Sequence, residues 1–220
     1  MYREGFTRQH RTIGRAAAWS YIALSVMYVV ATTLGLLSLQ SPDEPIGDPY
    51  FTIMELLIVI IAPLLVIIMM TVHAYAPAES KMVSLAALVF MCLLAGVTSC
   101  VHFVILTVRS QLETTMMTGR HLFLSFSWPS MAYALDILAW DVFFALSMLF
   151  AAFVFNQGRT EKAVRYLMIA SGALSLLGLI GVPLANMTIR NIGIVGYAFV
   201  SPIAMLLLSI VYGRTKVPSK

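Results

Sequence analysis

Six stretches of this chain are apolar for long enough to cross a lipid bilayer, and no other feature constrains the fold as tightly. A helix crosses the hydrocarbon core with about 20 predominantly apolar residues. Windows of that length place spans at residues 16–39, 53–76, 82–108, 131–155, 166–187 and 192–212. Backbone polar groups have no water to bond with in lipid, so runs of this length are expected as helices. The fold class is therefore an all-α, polytopic membrane protein, a six-transmembrane-helix bundle. One transmembrane domain is expected over 16–212, flanked by a basic N-terminal segment, 1–15, and a basic tail, 213–220. Composition points the same way: 60% of the residues are hydrophobic and 11% charged. An ordinary soluble domain is about a quarter charged, so a water-soluble globule is excluded. Disorder, which needs low hydrophobicity and high charge, is excluded as well.

The first apolar run is longer than the apolar region of a signal peptide and lacks a small-x-small cleavage site, so it is expected to remain as the first helix. Orientation follows from the fourteen Lys and Arg residues. One side collects Arg3, Arg8, Arg11, Arg15, Lys81, Arg159, Lys162, Arg165, Arg214, Lys216 and Lys220. The other receives only Arg109, Arg120 and Arg190. The positive-inside rule then puts both termini in the cytoplasm. The net charge of +4 belongs to this asymmetry and does not call for nucleic acid as a partner. The partners expected are the lipid bilayer and a small-molecule or ion ligand, with oligomeric state left open.

On that orientation the acidic, proline-rich turn 41–49 lies outside. So does the longest loop, 110–130. Its second half is expected to lie in the outer interface with Phe126 and Trp128 as aromatic-belt residues. A re-entrant lid is the alternative. Cys92 and Cys100, the only cysteines, have no redox or metal spacing and are expected as small buried hydrophobes.

Ionisable side chains inside spans are costly and so are candidates for function. They are Glu55, His102, Asp136 and Asp141, with His73 toward the cytoplasmic end; among neutral polar groups, Asn186 lies near the outer end of the fifth span. At ~1.5 Å of rise per residue, the first four gather in the outward half of the bundle. His102 and Asp136 fall at matching depth, about 7–10 Å below the outer surface, on antiparallel neighbours, where they can pair. In a regular helix Asp141 points about 140° from Asp136, so the two are not expected to act together from one face. Glu55 and His73, close to span ends, are expected to snorkel to the interface.

Small residues at four-residue spacing, Ser171/Ser175 and Gly181/Ala185, followed by Gly193 and Gly196, predict a close approach of the last two spans. Motifs for zinc hydrolysis, a nucleophilic serine elbow, phosphate-cradling glycines, voltage sensing and potassium filtration are absent. No catalytic residue, metal site or cofactor is assigned, and the reading leans away from an enzyme. The candidate ligand-binding residues are Glu55, His102, Asp136, Trp140 and Asp141. Three functions stay open: binding or transport of a small solute, ion or proton through an outward polar site; a membrane enzyme acting on a lipid-like substrate through His102 and Asp136; and a structural or accessory subunit whose polar pair only joins helices.

Several segments carry a resemblance as a set. They are 47–51 with 54–57, then 101–107, then Trp128-Pro129-Ser130 with 134–141, and 190–193. Together they resemble a group of uncharacterised prokaryotic multi-pass membrane proteins of about this length. The resemblance implies a prokaryotic inner membrane and no mechanism.

Overall fold

The computed structural model describes residues 5–41, 44–114 and 120–216. Expectations resting on Arg3, Pro42, Asp43, residues 115–119, Lys220 and the side chains of Arg109 and Arg120 lie outside the described residues. The chain is an all-α bundle with six helical spans long and apolar enough to cross a membrane: Arg8–Leu37, Tyr50–Tyr75, Ala78–Val108, Met131–Ala152, Gly158–Gly181 and Met187–Arg214. These make it a multi-pass membrane protein.

The first span begins earlier than the apolar run itself. Thr7 caps it, accepting from the His10 amide at 3.3 Å, while the Thr7 amide donates to His10 Nδ1 at 3.2 Å. The helix thus continues through Arg8, Arg11 and Arg15, whose long side chains can carry charge away from an apolar stem. The fifth span is displaced in the same direction, starting at Gly158 and not near residue 166. Asn186 is not a polar group at depth: its side chain accepts from the Ile189 amide at 3.2 Å and caps the sixth span. Arg190, expected in a loop, consequently falls inside that helix.

The spans pack in a ring in chain order, each against its sequence neighbours, with the first closing against the sixth. Large apolar side chains cover the outside. Val26, Met27, Val30, Leu34 and Leu37 form such a stripe on the first span, a face suited to lipid and one a soluble monomer would not carry. Cys92 and Cys100 also lie on this outer surface, contrary to their expected burial. Interior positions of their helix are taken instead by residues such as Ala87, Met91, Leu94, Thr98, His102 and Ile105.

The two ends of the ring interior are filled differently. Toward the chain termini, Phe6 packs edge-on to Tyr75 with centroids 5.1 Å apart and lies 5.2 Å from Tyr212, while Tyr75 stacks on Phe155 at 5.8 Å. The Tyr75 hydroxyl donates to buried Glu161 at 2.6 Å. Leu65, Met69, Met148 and Leu208, all fully buried, continue this plug toward the middle of the bundle. The opposite end holds a cavity.

Spans five and six approach closely, as the small residues suggest. The Ser171 hydroxyl donates to the Gly196 carbonyl at 2.8 Å. A Cβ on Gly196 would stand 2.5 Å from the Ser171 carbonyl oxygen, so only glycine permits this spacing. The fourth and sixth spans each widen into a π-helical turn, at Leu138–Phe143 and Val195–Val200. Such turns recur at functional sites in helical proteins, and both border the cavity.

Candidate functional site

The cavity measures about 770 Å³ and lies between spans one, two, three, four and six. Among the described residues its charged lining consists of Glu44, Glu55, His102, Asp136 and Arg190. Aromatic rings make up much of the rest, with Tyr28 from the first span, Tyr133 and Trp140 from the fourth, and Tyr197 from the sixth.

Glu55 projects inward from the second span on the face it shares with Ile58 and Ala62, at the i, i+3, i+7 positions of a helix stripe. It does not snorkel. The residue is 4% exposed, and its Oε2 lies 2.8 Å from His102 Nδ1. His102 Nε2 faces Asp136, with Oδ1 at 3.4 Å. Asp136 Oδ2 in turn lies 3.8 Å from Arg190 Nη2. Both Asp136 distances exceed the ~2.7–2.9 Å of a charge-assisted hydrogen bond. Arg190 is bound more tightly on its other side: Nε and Nη2 each stand 3.0 Å from Asp141 Oδ2. Its remaining edge meets Tyr133, with Nη1 3.5 Å from the hydroxyl and the guanidinium carbon 5.1 Å from the ring centroid.

Acid and base therefore alternate through a chain, Glu55–His102–Asp136–Arg190–Asp141, that ties spans two, three, four and six. Four of the five expected residues, Glu55, His102, Asp136 and Trp140, line the cavity. Asp141 does not. It is fully buried behind the wall, with Oδ1 packed against Gly193, where a Cβ would lie 2.1 Å away. The regular-helix geometry that separated Asp136 from Asp141 fails here, because the π-helical turn from Leu138 winds less per residue. Both carboxylates reach one guanidinium.

Phe126, expected as an aromatic-belt residue, turns inward. Its ring stacks on His102, centroids 5.2 Å apart and 25° between planes, and it lines the cavity together with Leu124, Ser125 and Ser127. The described part of the loop thus forms part of the cavity wall. Trp128, half-buried, is not among the lining residues. His73 sits far from the cavity, its Nδ1 2.9 Å from the Ser84 hydroxyl.

Arg190 is the site residue that sequence reading missed, because it was assigned to a connector. A signal existed. Asn186 before an apolar run is an N-cap pattern, and a helix starting there puts Arg190, Gly193, Ile194 and Tyr197 on one face. Among the described residues, no three His, Cys, Asp or Glu side chains converge to hold a metal ion. The chain matches no family model, no curated protein and no solved structure.

Proposed function

We propose that this is a prokaryotic inner-membrane protein, with both termini in the cytoplasm, that binds a small solute from the outer side as a step in its transport. The observation that carries the reading is the cavity of about 770 Å³ at one end of the bundle, lined by Glu55, His102, Asp136, Arg190 and aromatic rings. Ligand sites are concave, mostly apolar volumes of roughly 300–1,000 Å³ with a few converging polar groups. The aromatic plug at the opposite end supports an arrangement open to one side only. The excess of Lys and Arg near the termini supports the direction, since the cavity lies away from them. Its size favours a solute over a bare ion.

The test is access. In a Cys92→Ser/Cys100→Ser background, cavity residue Ala198 is changed to cysteine. A membrane-impermeant charged maleimide is then added to intact cells after removal of the outer envelope. Labelling without permeabilisation is the expected result. Labelling only after permeabilisation, or none, overturns the outward-open cavity.

A second reading, a membrane enzyme acting on a lipid-like substrate, draws on the His102 ring. Its Nδ1 is held by Glu55 at 2.8 Å, and its Nε2 faces the cavity-lining Asp136 at 3.4 Å. In that case Glu55, more than Asp136, orients the imidazole, and His102→Ala abolishes turnover.

A further inference from the structure

Charges in the cavity wall do not balance, and the imbalance has a location. Asp141 and Arg190 neutralise each other across two 3.0 Å contacts. Glu55 engages His102 at 2.8 Å. Asp136 remains, at 3.4 Å from one base and 3.8 Å from the other. If His102 is an imidazolium, the three carboxylates of the cluster exceed its two cations by one; if it is neutral, they exceed the single cation by two. With the carboxylates ionised the cluster is acidic in either state, and Glu44 in the cavity lining adds to it.

Arg190 is poorly placed to receive an anion. Two carboxylates flank it: Nε donates to Asp141 and Nη1 to the Tyr133 hydroxyl, while Nη2, which makes no aligned hydrogen bond among the described residues, stands 3.0 Å from Asp141 and 3.8 Å from Asp136. His102 Nε2 is likewise buried without an aligned hydrogen bond among the described residues, facing the loosely held Asp136 carboxylate at 3.4 Å. Around these groups stand ring faces: Trp140 lies 5.2 Å from Tyr197, and Phe126 covers His102. Aromatic faces attract cations, most of all where water is excluded.

We infer that the cavity takes an organic cation, an ammonium group on an apolar or aromatic body, with the ammonium at Asp136 and the body against Trp140 and Tyr197. The inference rests on the binding-cavity reading and specifies its ligand class. An amphipathic amine in solution and the ammonium headgroup of a membrane lipid share this chemistry.

The experiment uses the full chain purified in dodecyl maltoside, with ethidium as the cationic probe and anilinonaphthalene sulfonate as the anionic one, both followed by fluorescence. Saturable ethidium binding is expected, and the sulfonate should not displace it. Asp136→Asn should weaken ethidium by about tenfold or more, while Asp136→Glu, which keeps the charge, stays within about threefold, tenfold being about 1.4 kcal/mol. Comparing the two probes on the unaltered protein needs no variant to fold. Phosphatidylethanolamine that displaces ethidium where phosphatidylglycerol does not identifies a lipid headgroup as the source. Displacement by a soluble aromatic amine and by neither lipid identifies a free solute. Sulfonate binding as tight as ethidium binding, or full ethidium affinity in a folded Asp136→Asn, overturns the cation class but leaves a binding cavity. An Ala198→Cys variant closed to label removes the cavity reading itself.

Discussion

Removing the Arg190 cation is the most informative single perturbation of the polar chain. Arg190 is 2% exposed and Asp141 fully buried, with Nη2 3.0 Å from Asp141 and 3.8 Å from Asp136. At an effective dielectric near 20, the attractions are about 5–6 and about 4 kcal/mol. Much of that repays desolvation, so the net value of the pair to folding is small. Breaking it is different. Arg190→Gln leaves two carboxylates facing each other with no cation between them, and loss of one partner of a buried pair costs about 3–5 kcal/mol. Asp141→Asn costs less, about 1.5–3 kcal/mol, the value of a hydrogen bond to a charged group, because Arg190 keeps Asp136. The double variant, where two amides can bond to each other, should be no less stable than Arg190→Gln alone. The coupling energy is then at least the Asp141→Asn cost, about 1.5–3 kcal/mol, toward the upper end for contacting residues. The assay is reversible unfolding by titration of sodium dodecyl sulfate into dodecyl maltoside, followed by circular dichroism. Polar contacts between membrane helices average only about 0.6 kcal/mol in such cycles. A coupling that small, or additive single losses, would refute the argument that the chain of alternating charges acts as a unit.

The remaining predictions concern the lid and the helix packing. Phe126→Ala removes the ring stacked on His102 and should raise the rate at which an Ala198→Cys cavity is labelled severalfold; an unchanged rate means the loop does not cover the site. Gly196→Ala should destabilise by about 1–3 kcal/mol, the usual cost of overpacking, because its Cβ would meet the Ser171 carbonyl oxygen at 2.5 Å. Gly96→Ala, with nothing within 4 Å, should be neutral or stabilising by about 0.5–1 kcal/mol through helix propensity. The two are read in the same unfolding titration, and equal effects would refute the close-packing argument.

The polar candidates were legible because charge inside an apolar run is rare enough to stand out. Glu55, His102, Asp136 and Asp141 needed no structure to be found. Their roles did. Whether Glu55 turns to the interface or to His102 depends on which face of the second span meets the third, and hydropathy carries no such information for a helix apolar all round. The boundary of the sixth span hid Arg190, though Asn186 marked it. The π-helical turn that brings Asp136 and Asp141 to one guanidinium has no signature in residue spacing.

What the sequence determined alone was the architecture: six helices and a lipid-facing exterior. Backbone hydrogen bonding in a bilayer leaves a long apolar run almost no other choice. Only the tertiary structure decided which rare polar groups meet. Three-dimensional packing set Arg190 between Asp136 and Asp141, drew Phe126 over His102, and left one end of the ring filled and the other hollow.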